Sequence, residues 1–176
     1  MTSTEDLARA VFQASHLTGN FLLRSGKTST EYFDKYRFES DPKLLAAIAD
    51  AMVPLLPGGL DFLAALEMGG IPIATALSLR CGLPVVFVRK QAKEYGTRKF
   101  AEGPAIAGRR LLLIEDVITT GGQVAMSAAD LRAGGARVDA VLCVIDRSDG
   151  QTEKLEVAGI SLRALFTMQQ LKSAGA

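Results

Sequence analysis

The residues that could carry chemistry follow one apolar run of the sequence. Leu111–Ile114 precedes two adjacent carboxylates, Glu115 and Asp116, and then the segment Val117-Ile118-Thr119-Thr120-Gly121-Gly122. Backbone N–H groups of such a loop, with a helix N-terminus behind them, bind phosphate, and threonine hydroxyls add donors. Carboxylates beside a phosphate would repel the ligand unless they bind another part of it, and ribose hydroxyls fit, directly or through Mg²⁺. The simpler interpretation is a βα turn capped by Asp116.

A second candidate is the long basic segment at residues 90–108. It contains Lys90, Lys93, Arg98 and Lys99, together with three glycines. Loops of this length inside a compact domain are usually functional lids or disordered. Lysines on a closing loop would neutralise a phosphate-rich ligand and exclude water from it. The alternative is a solvated basic segment without a function.

The elements that must position these residues alternate between strands and helices. Four apolar runs predict strands: Asp61–Leu66, Val85–Val88, Leu111–Ile114 and Val138–Ile145. Helices are predicted between them over Ile71–Arg80 and Gln123–Ala133, with a loop from Asp116 to Gly122. Continuous Val, Leu and Ile runs are typical of parallel strands covered on both faces. The pattern predicts a doubly wound α/β fold, in which ligands bind outside the carboxyl ends of the strands.

The N-terminal part predicts a smaller α/β addition. Thr4–Ala14 predicts a helix with Thr4 as its N-cap, and Phe21–Arg24 and Glu31–Phe38 predict strands around a polar turn. Asp41-Pro42 predicts the start of a further helix, with an acidic N-cap and proline at the first helical position.

Composition sets the class of protein. The chain has 176 residues, with 20 Lys plus Arg against 19 Asp plus Glu. The length fits a single domain, and the charge balance argues against disorder and against nucleic-acid binding by bulk charge. Cys81 and Cys143 build neither a zinc site nor a disulfide framework, which is typical of a reducing compartment. No signal peptide or membrane span is expected, so we predict a cytoplasmic protein.

Several blocks together resemble one enzyme family. The segment from Leu111 to Gly122 resembles the phosphoribosyl pyrophosphate (PRPP) signature of type I phosphoribosyltransferases. Further blocks are similar to orotate phosphoribosyltransferases in their order along the chain: Phe21–Ser29 with Tyr32-Phe33-Asp34, Gly70–Ala74, Val88-Arg89-Lys90 with Lys93 and Gly96, and Asp146-Arg147. The resemblance covers Phe21 to about Arg147, most of the chain.

The resemblance implies a fold, a reaction and partners. The fold would be a central, mostly parallel sheet flanked by helices in one domain, residues 1–176, with an N-terminal α/β hood (1–40) and a mobile catalytic loop (90–108). The reaction would transfer 5-phosphoribosyl from PRPP to orotate, giving orotidine 5′-monophosphate and diphosphate in pyrimidine biosynthesis. Mg²⁺ would accompany the diphosphate, held mainly by PRPP. The protein would be a homodimer whose loop reaches the neighbouring site, with no nucleic-acid or membrane partner.

The resemblance also implies roles for individual residues. Lys93 and Asp116 would be catalytic, and Glu115 would join Asp116 on the ribose hydroxyls. The whole PRPP-binding set would be Arg89, Lys90, Lys93, Tyr95, Glu115, Asp116, Val117, Ile118, Thr119, Thr120, Gly121, Gly122, Gln123, Gly69 and Gly70. The orotate-binding set would be Thr119, Arg147, Tyr32, Phe33 and Arg24.

Four positions depart from the family pattern. Glu115 stands where the family often has Asp, and Tyr95 where His is common. Met68-Gly69 stands where many members carry Tyr-Lys, so that backbone N–H groups of Gly69 and Gly70 would replace a diphosphate-binding lysine. Two alternatives stay open: a phosphoribosyltransferase for a purine or for uracil, and a non-catalytic regulator of the same fold that senses PRPP and binds RNA.

Overall fold

The computed structural model describes residues 3–22, 26–91 and 100–175 of the chain. Its helices are α1 (Thr4–Ser15), α2 (Tyr36–Glu39), α3 (Pro42–Met52), α4 (Gly70–Cys81), α5 (Gly122–Ala133), α6 (Glu153–Val157) and α7 (Met168–Gly175), with a 3₁₀ turn at Val53–Leu55. Its strands are β1 (His16–Leu22), β2 (Thr28–Phe33), β3 (Phe62–Leu66), β4 (Val85–Val88), β5 (Ala101–Glu102), β6 (Arg110–Ile118), β7 (Arg137–Asp146) and β8 (Ser161–Thr167).

The described strands form two sheets. β1 and β2 pair antiparallel on their own, and the others follow the order β5-β4-β3-β6-β7-β8. All neighbours in this larger sheet are parallel except β5, which is antiparallel to β4. The chain leaves β3 through α4 towards β4, whereas it leaves β6 through α5 towards β7, so the direction of winding changes between β3 and β6. This confirms the predicted mostly parallel sheet and puts a crevice at the carboxyl ends of β3 and β6.

Both faces of the central sheet are buried. Along β6, Leu112 and Ile114 pack into the hydrophobic cluster that contains residues of α1, α3, α4 and α7. Leu111 and Leu113 pack into the opposite cluster, which contains residues of α5 and α6. Successive residues of a strand point to opposite faces, so a strand buried on both sides must be apolar at every position. This is the physical reason for the continuous apolar runs.

The N-terminal segment corrects three predictions. Helix α1 is capped by Ser3 and not by Thr4, because the Ser3 hydroxyl accepts a hydrogen bond from the Asp6 N–H. The strand predicted over Glu31–Phe38 is also wrong beyond Phe33. Asp34 turns the chain there, since its Oδ1 accepts a hydrogen bond from the Tyr36 N–H at 3.2 Å, and the short helix α2 follows. Similarly, β1 begins at His16, before the predicted Phe21.

Strand β6 is longer than the sequence predicts. The apolar run ends at Ile114, but β6 continues through the acidic pair to Ile118 because β7 continues beside it, with Glu115 opposite Cys143 and Ile118 opposite Asp146. The prediction that a loop begins at Asp116 is therefore wrong. The acidic pair lies in the sheet, and the loop to α5 comprises Thr119 to Gly121.

The segment 90–108 and the C-terminus also differ from expectation. Within 90–108, Ala101–Glu102 forms the edge strand β5 on β4, whereas residues 92–99, which include Lys93 and Tyr95, lie outside the described residues. The predictions did not include α6, β8 or α7. Helix α7 packs on α1 and buries Leu171 completely. Across the described ranges, every helix is too short or too polar to cross a membrane.

Candidate active site

The turn from β3 to α4 lies directly against the acidic segment of β6. A Cβ on Gly70 would stand 2.2 Å from the Ile114 carbonyl oxygen, and one on Gly69 would stand 1.7 Å from Asp116 Oδ2. Both distances are far below van der Waals contact. At Gly70 a side chain would collide with fixed backbone, whereas at Gly69 it would collide with the end of the Asp116 side chain, which would have to move to make room.

Asp116 is fully buried at the centre of a polar cluster. Its Oδ1 accepts a hydrogen bond from the Val117 N–H, while its own N–H donates to Glu115 Oε1 at 3.1 Å. The Lys35 ammonium contacts Oδ2, and the Glu39 carboxyl lies within hydrogen-bonding reach of the same side chain. Lys35 directly precedes α2, and Glu39 is the last residue of that helix. The N-terminal segment therefore covers the cluster on the side away from the sheet.

The cluster fixes the charge of each member. Burial raises the pKa of Glu39 and of Glu115 to about 9, and hydrogen bonding to Asp116 adds to both shifts. Burial alone would raise the pKa of Asp116, but hydrogen bonds from Glu115, Glu39 and Lys35 outweigh burial and lower it. Burial opposes the charge of Lys35, yet Asp116 raises the pKa of that ammonium. At neutral pH the cluster thus contains one carboxylate, two protonated acids and one ammonium.

The loop before α5 has the form expected of a phosphate site. Thr119 and Thr120 are exposed, and Gly121 adopts the left-handed conformation with φ 68°, where a Cβ would also collide with Leu155 Cγ at 2.5 Å. Gly122 starts α5, whose first N–H groups have no partner inside the helix and carry the positive end of its dipole. Lys154 Nζ lies 3.5 Å from the Cβ position of Gly122, a basic group that the sequence analysis missed.

A cavity of about 310 Å³ lies between β2 and the end of β7. It brings together Tyr32, Phe33 and Arg147, three of the predicted orotate residues, and it is also lined by Met168 and Lys172 of α7. A neighbouring cavity shares Arg147, Met168 and Lys172 and reaches Thr119. The four residues therefore line two neighbouring cavities beside the loop before α5, whereas Arg24 lies outside the described residues. Sequence reasoning missed Met168 and Lys172.

The end of β4 carries the remaining described candidates. Arg89 pairs with Glu102 of β5, with 3.6 Å between Nε and Oε1. The Lys90 N–H donates to Glu67 Oε1 at 2.6 Å, which ties this strand end to the turn after β3. The carboxyl ends of three neighbouring strands thus carry Arg89 and Lys90 after β4, the Gly69-Gly70 turn after β3, and the acidic cluster on β6. Glu67, which holds the Lys90 backbone, was not among the predicted site residues.

Comparison with known proteins agrees with this arrangement. Residues 36–164 match the model of the phosphoribosyl transferase domain. The orotate phosphoribosyltransferase of Nocardioides sp. is 53% identical over 174 residues, which cover 99% of this chain and 97% of that protein. The enzyme of the same name from Methanocella arvoryzae is 42% identical over 153 residues, covering 87% of each chain.

Solved structures give the same result. The Mycobacterium tuberculosis orotate phosphoribosyltransferase crystallised with Fe(III) dicitrate has a TM-score of 0.85 at 30% identity, covering 96% of this chain and 98% of that one. The crystal structure of the same enzyme in complex with PRPP has a TM-score of 0.81 at 27% identity, with the same coverage.

The winding of the sheet and the phosphate loop after its acidic strand are those of the type I phosphoribosyltransferases. Identity and coverage then narrow the class, and the chain belongs to the orotate phosphoribosyltransferase family. The resemblance stated from the sequence is thereby confirmed.

Proposed function

We propose that this protein transfers 5-phosphoribosyl from PRPP to orotate, giving orotidine 5′-monophosphate and diphosphate in pyrimidine biosynthesis. The observation that carries the proposal is the position of Arg147: it lines one cavity together with Thr119 of the loop after β6 and a neighbouring cavity together with Tyr32 and Phe33. A phosphorylated sugar held at this loop would have its C1 end directed towards a base in the cavity. The relatives that cover nearly the whole chain support this choice of base.

The PRPP phosphate would bind at the start of α5. Thr119, Thr120, Gly121, Gly122 and Gln123 offer hydroxyl and backbone donors, and the helix dipole favours an anion there. Val117 and Ile118 would contribute their backbone as the last residues of β6. The exposed threonines leave this loop open to a ligand.

The ribose hydroxyls would bind the acidic pair: the Asp116 carboxylate accepts hydrogen bonds from hydroxyls, and the protonated Glu115 can donate one as well as accept one. The diphosphate would lie between the β3–α4 turn and the end of β4, where backbone N–H groups of Gly69 and Gly70 and the side chains of Arg89 and Lys90 supply donors. Lys93 and Tyr95 would complete this set, and Lys93 would be a catalytic residue on the leaving group.

Orotate would occupy the cavity lined by Tyr32, Phe33 and Arg147. A planar guanidinium suits a planar anion with a carboxylate, and Thr119 and Arg24 would add donors. In the reaction, a ring nitrogen of orotate forms a bond to ribose C1 and gives up its proton to the solvent or to the diphosphate, while the bond from C1 to the diphosphate oxygen breaks. The electron pair of the broken bond leaves on the diphosphate, so cations around the leaving group stabilise the transition state.

Mg²⁺ would act together with the diphosphate. Within the described ranges, no group of three His, Cys, Asp or Glu side chains could hold a metal ion. An ion carried by the oxygens of PRPP fits this site, because Asp116 keeps a negative charge beside the ribose position. When bound, Mg²⁺ would neutralise charge that develops on the leaving diphosphate.

We further propose a cytoplasmic homodimer, in which residues 90–108 of each subunit reach the site of its partner. One domain of 176 residues with an N-terminal hood at residues 1–40 would form each subunit. The formal net charge of +1 gives no support to a nucleic-acid partner.

An absorbance assay of orotate consumption tests the proposed function. Turnover is expected only with PRPP and Mg²⁺ both present, and omission of either should abolish it. Turnover of uracil or a purine in place of orotate would contradict the assignment of the base. Absence of any turnover, together with RNA binding that weakens steeply with salt, would favour the PRPP-sensing regulator instead.

A further inference from the structure

Lys35 lies at the proposed ribose site, although no sequence motif marks it. It follows β2 and immediately precedes α2, and its ammonium contacts Oδ2 of Asp116. The Lys35 side chain is 33% exposed and that of Asp116 is 0% exposed. Lys35 therefore connects the buried carboxylate with the open side of the site.

No side chain from the β3–α4 turn can take the place of Lys35. A Cβ on Gly69 would collide with the same Asp116 oxygen at 1.7 Å. Among residues 3–22, 26–91 and 100–175, the other side chains that interact with Asp116 are Glu115 from β6 and Glu39 from α2, and both are acids. Lys35 consequently supplies the positive charge that compensates the Asp116 carboxylate.

Loss of this charge would change Asp116 itself. A carboxylate buried without a cation takes up a proton, because burial disfavours the charged form. A protonated Asp116 would be a weaker acceptor for ribose hydroxyls. If Asp116 instead stayed ionised, an uncompensated negative charge would stand beside PRPP, which is a polyanion. In both cases the affinity for PRPP decreases.

We propose that Lys35 is a positioning residue for PRPP, which holds the Asp116 carboxylate charged and in place for the ribose hydroxyls. This inference rests on the proposed function, since it assigns the ribose to Asp116. It predicts a defect that is specific for PRPP, because Lys35 does not line the cavity assigned to orotate.

Steady-state kinetics of Lys35→Met, Lys35→Arg and Lys43→Met test the proposal. Lys43 is an exposed lysine at the start of α3 and serves as the matched control. Lys35→Met should lower kcat/KM for PRPP about a hundredfold while the KM for orotate changes less than about threefold. Lys35→Arg should recover most of the loss, because it keeps the positive charge, and Lys43→Met should resemble the wild type.

A pH profile gives a readout that a purely structural role would not move. Lys35 helps to lower the pKa of Asp116, so its removal should shift the acidic limb of kcat/KM for PRPP to higher pH. Lys35 also lowers the pKa of Glu115 and of Glu39, so its removal moves both pKa values further above the acidic limb, and ionisation of PRPP is common to both proteins. The difference between the two profiles therefore reports Asp116.

PRPP binding measured by calorimetry, without orotate, separates this inference from the proposed function. If the wild type binds PRPP but does not consume orotate, the proposed function fails and the comparison of Lys35 variants still decides the inference. Equal PRPP affinity for the wild type and Lys35→Met would overturn the role of Lys35. Equal losses for PRPP and orotate with a lowered melting temperature, or no recovery in Lys35→Arg, would also overturn it. A wild type that binds no PRPP would overturn both.

Discussion

The two halves of the proposed site are built in different ways. In the acidic cluster Asp116 and Glu39 are buried, and Asp116 interacts with Glu115, Glu39 and Lys35. The orotate cavity is lined by half-exposed and exposed side chains from β2, from the end of β7 and from α7. A buried network is costly to alter at any member because a lost partner leaves a group unsatisfied. A cavity assembled from separate side chains should instead lose affinity in proportion to each contact removed.

The largest effect is expected for Gly69→Ala. Its Cβ would overlap Asp116 Oδ2, so either the β3–α4 turn or the carboxylate must move. We expect kcat/KM for PRPP to fall about a thousandfold, since both lie in the proposed PRPP site. Gly58→Ala is the control, because nothing lies within 4 Å of its Cβ. If Gly69→Ala and Gly58→Ala had the same kinetics, the buried network around Asp116 would tolerate an added side chain, and the expected contrast between the two halves of the site would be wrong.

Arg147→Ala should have a smaller effect, confined to the other half. Removal of the guanidinium takes away the charge-assisted contact to orotate, so the KM for orotate should rise about thirtyfold while the KM for PRPP stays nearly constant. The exposed Arg37 provides a control as Arg37→Ala. If only the KM for PRPP changed, Arg147 would contact PRPP and not orotate.

The pH dependence of stability should sharpen the contrast further. Glu39 binds its proton more tightly in the folded protein, with a pKa of about 9, than in the unfolded chain. Its contribution is therefore complete below the unfolded value near 4.5 and is lost as the pH rises towards about 9. Glu39→Gln keeps a donor to Asp116, so the fall in melting temperature between these pH values should become several degrees smaller. If the melting temperature of Glu39→Gln fell with pH as much as that of the wild type, Glu39 would not be protonated in the folded protein.

Lys172→Ala should have the smallest effect. Lys172 lies on the exposed side of α7 and lines the cavity together with Arg147, so it adds a second positive charge near the orotate carboxylate. Solvent screens such a charge, and we expect the KM for orotate to rise about fivefold. Competition by uracil, which has no carboxylate, should be unchanged. A loss of uracil affinity of the same size would indicate that α7 shapes the cavity and that the charge of Lys172 is irrelevant.

The sequence predicted the half of the site that is continuous in the chain. A buried strand, an acidic pair, two threonines and two glycines before a helix are local features, so Glu115, Asp116 and the α5 N-terminus could be placed from their order alone. The central sheet was predictable for the same reason, because its strands must be apolar on both faces.

The partners of that half could not be predicted, because tertiary contacts decide them. The aromatic residues after Glu31 favour a strand. The chain turns at Asp34 instead, because α2 buries Phe38 against the core and brings Glu39 to Asp116. Lys35 was consequently assigned to a strand and given no role. Lys172 was missed because the position of α7 depends on its packing against α1.

The tight approach of Gly69 to Asp116 has a consequence for exchange of residues between relatives. A lysine introduced at position 69 cannot simply add to the protein as it stands, since Asp116 already fills that space. Such a graft would have to displace the carboxylate and, with it, the ammonium of Lys35. Positions 35, 69 and 116 are therefore coupled, and the effect of a lysine introduced at position 69 should depend on the residue at position 35.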